Sequence, residues 1–174
     1  AIAGVKIVEV PLKYEKDFVL DVDDIRDKVT KSTKAILINT PHNPTGAVLD
    51  AENLKKVAEF AIENDLLVIS DETYDQFLFE GKHTSISTLA GMKGRTIIVN
   101  STSKTFSMTG WRVGYAIGPA EIIKYLNKVH QNMSTCATSF AQVGAAYAFR
   151  HGKPFTESMV KEFKIRRDIV VEGL

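Results

Sequence analysis

Lys104 lies in the run Ser101-Thr102-Ser103-Lys104-Thr105, and Arg112 follows eight positions on, in Gly110-Trp111-Arg112-Val113-Gly114-Tyr115. Lysine is the side chain that condenses with a carbonyl to a Schiff base. Arginine is a planar fork that grips phosphate oxygens in pairs. Ser101 and Ser103 can supply neutral donors to the same oxygens. The set has the parts to hold an aldehyde that bears a phosphate. Taken alone, it reads better as a polar loop after a strand, with Lys104 solvated and Arg112 in a surface ion pair. Two upstream signals reverse that balance.

The first is Asp71, which follows the apolar run Leu66-Leu67-Val68-Ile69 and Ser70. A carboxylate at the lip of a low-dielectric core is costly without a cationic partner. A protonated pyridine nitrogen would be such a partner, and a cationic ring is a strong electron sink. A cap for the segment Glu72-Thr73-Tyr74, or an ion pair with a lysine, explains Asp71 equally well by itself. Tyr74 falls three residues later, on the same side if the segment turns helically. The second signal is Asn43 in Pro41-His42-Asn43-Pro44-Thr45-Gly46. Its amide can donate to a ring oxygen, as can the Tyr74 hydroxyl, although Asn-Pro also starts turns with no ligand present. His42 has no assigned task.

The elements that must position these residues follow from pattern. Residues 5–10 read as a short strand closed by Pro11, and residues 20–25 open a short helix with acidic residues at its start. Residues 35–38, 66–69 and 96–99 are unbroken apolar runs, the mark of strands covered on both faces. Asp50 caps a helix that runs to about Asn64, with Leu54, Val57, Ala58 and Ala61 on one face. Strands joined through a helix predict a parallel sheet. Residues 113–117 follow too soon for a crossover and are expected to run antiparallel. From Pro119 onward the chain reads as helical, with breaks near Ser134-Thr135 and Gly152-Lys153-Pro154. Asn43, Asp71 and Lys104 each come just past the carboxyl end of a strand, the edge where open α/β sheets bind ligands.

Composition sets the class. A chain of 174 residues with 44% hydrophobic and 25% charged residues is an ordinary globular protein with enough length for a core. Its 22 basic and 21 acidic residues leave a net charge of +1 without clustering, which gives no support to a nucleic-acid or polybasic membrane role. No apolar run is long enough to span a bilayer. The lone Cys136 excludes an internal disulfide framework, fits a reducing, cytoplasmic setting, and is expected to be a small buried residue. His42, His83, His130 and His151 show no metal-ligand spacing with it, so no metal is expected.

Taken together, Pro41-His42-Asn43-Pro44-Thr45-Gly46, Asp71-Glu72-Thr73-Tyr74, and Ser101-Thr102-Ser103-Lys104 with Gly110-Trp111-Arg112-Val113-Gly114-Tyr115 resemble the pyridoxal-phosphate-dependent aminotransferases of fold type I, class I/II. Each motif is modest alone; the three in this order and spacing are specific, and the resemblance covers essentially the whole chain. It implies a mixed, mostly parallel α/β sheet with helices on both faces. Residues 1–152 would be part of the cofactor-binding large domain, and residues 153–174 the start of a long helix leading to a small C-terminal domain.

The same resemblance assigns roles. Lys104 would form the Schiff base with pyridoxal phosphate and then shuttle a proton. Asp71 would pair with the ring nitrogen, while Tyr74 and Asn43 would bond the ring oxygen. Ser101 and Arg112, with Ser103 as helper, would hold the phosphate. Gly110 and Gly114 would let the backbone turn tightly, and Trp111 would pack rather than stack on the ring. The implied reaction is transamination between an L-amino acid and a 2-oxo acid by a homodimer. A β-elimination lyase of the same fold and a non-catalytic ligand-sensing domain are the alternatives; tyrosine as the last residue of Asp-Glu-Thr-Tyr favours a transaminase. Family members carry a phosphate loop upstream and a carboxylate-binding arginine downstream, so residues 1–174 by themselves are expected to be inactive.

Overall fold

Three of the apolar runs become parallel strands. In the computed structural model, which describes residues 4–174, β1 (Ala35–Asn39), β2 (Leu67–Asp71) and β3 (Thr96–Ser101) lie side by side. β4 (Gly114–Ile117) pairs antiparallel with β3 and completes the order β1-β2-β3-β4. Asn39 stands opposite Asp71, and Asp71 opposite Val99, so the carboxyl ends of the parallel strands finish nearly flush. That register is what makes a common rim.

The helices begin where side chains can satisfy free backbone N–H groups. In α1 (Val22–Arg26), Asp21 accepts from the Asp23 amide at 3.0 Å. In α2 (Ala51–Glu63), Asp50 Oδ1 accepts from the Asn53 amide at 2.8 Å. Leu54, Val57, Ala58, Phe60 and Ala61 of α2 then bury against Ile36, Ile38 and Val68 of the sheet to form the main core. Leu54 is completely buried at the centre of this layer. Leu54→Ala should therefore lower the free energy of unfolding by about 2–5 kcal/mol, read as a lower denaturant midpoint with an unchanged slope. An unshifted midpoint would mean that α2 contributes little to the core.

Beyond β3 come α3 (Thr102–Thr105), α4 (Ala120–Met133), α5 (Ser139–His151) and α6 (Lys153–Gly173). The breaks fall where expected, after Met133 and at Gly152, with Pro154 in the first turn of α6.

Three expectations need correction. Residues 5–10 form no strand; Val5, Ile7 and Val8 are exposed, and no sheet edge pairs with them. Strand formation needs a partner ladder, which a β-rich composition does not supply by itself. The apolar runs are not covered equally on both faces either. Leu37 is 68% and Val99 39% exposed on the side away from α2, because among the described residues only the α2 side is fully covered. Cys136 is exposed rather than buried, since it falls in the break between α4 and α5. Ala1, Ile2 and Ala3 lie outside the described residues.

Candidate functional site

The turn that carries Lys104 is tied down at both ends. Ser101 Oγ accepts from the Ser103 amide at 3.3 Å, and both the amide and the hydroxyl of Thr102 donate to Val113 O at 3.1 Å. With Ser101 paired to Gly114 across the sheet, these bonds set Arg112 and Val113 beside residues 101–103. Gly114 is needed for this approach, because a Cβ there would stand 3.2 Å from Asn100 O. Gly110 is not the tight point that was expected: it has open space around it and no positive φ. The left-handed turn is made by Arg112 itself, at φ +56°, with Nη1 donating to Thr109 O at 3.0 Å. Trp111 packs on α5, edge-on to Phe140 at 6.3 Å between centroids.

Lys104 lies in α3, with Nζ 5.7 Å from the centre of the Tyr74 ring. It makes no ion pair among the described residues. The Tyr74 hydroxyl is 3.4 Å from Asn43 Nδ2. Lys104, Tyr74 and Asn43 are thus brought together from three separate strand ends.

Asp71 sits on the same rim by register. Its Oδ1 accepts from the Thr73 amide at 3.1 Å and from the Thr73 hydroxyl at 2.7 Å. The segment forms turns rather than a helix, so this is turn capping by one oxygen. Oδ2 has no hydrogen-bond or ionic partner among the described residues.

Asn39 joins these pieces, and motif reasoning missed it. Its Nδ2 donates to Asp71 O at 3.2 Å, while its Oδ1 accepts from the Asn43 amide at 2.8 Å. A polar residue closing the run Ala35-Ile36-Leu37-Ile38 was the available signal. His42, left without a task, has Nδ1 2.7 Å from Thr45 Oγ1 and so braces the same turn.

A second missed group lies behind Asp71. Glu72 is 4% exposed; its Oε1 accepts from Ser70 Oγ at 2.8 Å and Ser85 Oγ at 2.7 Å, and its Oε2 is 3.0 Å from His83 Nε2. Burial acts to raise its pKa, but the bonds from His83, Ser85 and Ser70 outweigh it and hold the carboxyl below its ordinary value. A serine inside the run Leu67-Val68-Ile69-Ser70 was the only sequence sign of this network.

A cleft of about 450 Å³ opens beside the rim, with Asn43, Val48, Tyr74, Phe79 and Arg167 among its lining residues. Asp71, Lys104 and Arg112 are not among its lining residues. α6 crosses above them. Thr156 Oγ1 donates to Thr105 O at 2.7 Å, and Phe163 packs edge-on to Phe77 at 5.5 Å. One helix therefore touches both the Lys104 turn and the segment that follows Tyr74. Among the described residues, no group of His, Cys, Asp and Glu is placed to hold a metal, and no helix is long and apolar enough to cross a membrane.

Known proteins share this fold. The family described as Aminotransferase class I and II matches residues 1–174. An aspartate aminotransferase of Pyrococcus abyssi is 47% identical over 99% of the chain and 45% of its own length. An aromatic-amino-acid aminotransferase of Thermococcus litoralis is 44% identical over the same shares. Among solved structures, a double mutant of Thermus thermophilus aspartate aminotransferase superposes with a TM-score of 0.91 at 39% identity, over 99% of this chain and 45% of that one. The chain thus spans less than half the length of the curated relatives it matches. The fold is that of fold type I aminotransferases, which are pyridoxal-phosphate-dependent. With a family match over its full length and a rim that unites the three motifs, this chain belongs to the class I and II aminotransferases.

Proposed function

We propose that the protein carrying this sequence transfers an amino group from an L-amino acid to a 2-oxo acid, with Lys104 as the amine that anchors pyridoxal phosphate. The observation that carries this reading is the Lys104 amine, without an ion pair among the described residues and 5.7 Å from the Tyr74 ring, at the edge where Asp71 ends β2.

The residues present fit the cofactor. Among the described residues, Asp71 keeps one oxygen without a hydrogen bond or ion pair, suited to a protonated ring nitrogen. Asn43 Nδ2 and the Tyr74 hydroxyl form a neutral donor pair for a ring oxygen. Ser101, Ser103 and Arg112 gather at one turn, a neutral-plus-guanidinium set suited to phosphate. When bound, pyridoxal phosphate supplies the aldehyde and a ring able to accept the electron pair left on the substrate carbon. Lys104 Nζ, freed when the substrate's own amine displaces it, would take the proton from that carbon and deliver it to the former aldehyde carbon of the cofactor. Asp71 holds its proton partner in place, and Arg112 with the serines fixes the far end of the molecule.

Several finer points belong to the same proposal. Aspartate or aromatic amino acids are the substrate classes that the names of the relatives support. A cytoplasmic homodimer, with the large domain ending near residue 152 and α6 leading into a small domain, completes it.

Assay of the full protein with pyridoxal phosphate, aspartate or an aromatic amino acid, and 2-oxoglutarate tests the reading. Amino transfer that stops when the oxo acid is left out is expected. Pyruvate and ammonia released from a cysteine-like substrate without any oxo acid would point to the β-elimination lyase instead.

A further inference from the structure

Glu72 presents a physical question that the transfer reaction does not answer. Along β2 the side chains alternate, so Ser70 and Glu72 face the α2 side while Asp71, between them, faces the other. The Glu72 carboxylate is buried and ionised, yet it is satisfied by two serine hydroxyls and one imidazole. A lysine or arginine would have satisfied the same oxygens and cancelled the charge. Serine hydroxyls satisfy it without cancelling the charge.

The surroundings sharpen the point. Asp71 and Asp75 share the turn with Glu72, and one oxygen of Asp75, Oδ1, is buried with no hydrogen-bond partner. Tyr115 on β4 has its phenol pushed up by burial and then by the charges of Asp75 and Glu72. Among the described residues, no lysine or arginine pairs with Asp71, Glu72 or Asp75. Among the described residues, His83 is the only group in contact with Glu72 that can carry positive charge. The end of β2 is therefore a rigid and net-negative platform, and the network pins residues 83–87 to it.

We propose that Glu72 is a positioning residue for Asp71: fixed and ionised behind the end of β2, it adds to the negative field in which the Asp71 carboxylate meets a protonated ring nitrogen. The role rests on the placing of Asp71 proposed above. It works across a partly shielded path, where one charge is felt by its neighbour more than in water. Glu72 itself touches neither cofactor nor substrate.

The test compares the full protein with Glu72→Gln, His83→Gln and Asp71→Asn, each loaded with pyridoxal phosphate. The readouts are the pH midpoint of the cofactor's visible band, the cofactor dissociation constant, and thermal unfolding as a check on folding. Glu72→Gln keeps the side-chain shape and removes only the charge. Its spectral midpoint should fall by about 0.5–1 pH unit, the size expected for one charge on the order of 10 Å away in a partly shielded site. Cofactor binding should weaken several-fold. His83→Gln keeps a donor toward Glu72 and leaves the carboxylate charged, so its midpoint should stay at or above that of the parent.

A folded Glu72→Gln with unchanged midpoint and affinity overturns the proposal. So does a fall in His83→Gln that equals the fall in Glu72→Gln, because that would be loosening rather than charge. If Glu72→Gln does not fold, His83→Gln decides: a midpoint at or above the parent's supports the field, and a fall overturns it. Asp71→Asn separates this inference from its premise. If Asp71→Asn also leaves the spectrum and affinity unchanged, the placing of Asp71 is what fails; if only Glu72→Gln is silent, the field alone fails.

Discussion

Lys104→Ala in the full protein is expected to remove amino transfer and the visible band of the lysine-linked cofactor together. On the proposed reading, two functions leave with one amine. The first is covalent anchoring, for which no other lysine on this rim is available: among the described residues only Lys104 lies over the Tyr74 ring. The second is proton transfer at the substrate carbon, which alone contributes on the order of 10²–10⁴ in rate. Folding should survive, because the Lys104 side chain makes no ion pair or hydrogen bond among the described residues, and the turn is held by Thr102, Ser101 and Val113. Lys104→Arg is the informative companion. It keeps a cation over Tyr74 but cannot condense with an aldehyde, so it should be as inactive as the alanine variant. Recovery of turnover in the arginine variant would show that the charge near Tyr74, and not the nucleophilic amine, is what the site needs.

The reason Lys104 stood out in sequence, while Glu72 and Asn39 did not, is physical. Lys104, Asp71 and Asn43 each follow an apolar run, and a parallel sheet turns that one-dimensional fact into a shared edge; the register of Asn39 with Asp71 realises it. The parallel and antiparallel senses of the strands were legible because three unbroken apolar runs and one short connection leave few pairings. Glu72 and His83 are eleven positions apart and meet only through the path of residues 73–85, which has no periodicity to read. Residues 5–10 show the opposite failure: an apolar stretch closed by Pro11 was visible, but a strand exists only where another strand accepts its hydrogen bonds. Burial on both faces failed for the same reason, since Leu37 needs a covering layer that the run itself cannot reveal. Local chemistry is written along the chain, whereas partners are not.

Asp71→Asn carries the second large effect, and the structure makes it an unusually clean substitution. Oδ1 of Asp71 already serves the Thr73 amide and hydroxyl, and an asparagine oxygen can accept both bonds, so the turn should persist. What changes is the second oxygen, which becomes a neutral NH₂ donor facing the position proposed for the ring nitrogen. A donor opposite a protonated nitrogen is a mismatch, and the ring proton is the one that is lost. Removing one partner of a desolvated charge pair costs on the order of 2–5 kcal/mol, or a factor of tens to thousands in rate. Cofactor should still be retained in part, because Lys104 and the Ser101, Ser103 and Arg112 cluster are untouched. The expected outcome is therefore a coloured protein with a shifted spectrum and a kcat reduced much more than KM is raised. Kinetics of amino transfer on cofactor-saturated Asp71→Asn check this. A full rate in that variant would mean that the unpaired oxygen at the end of β2 does not face the ring, and that electron withdrawal at this site is arranged without Asp71.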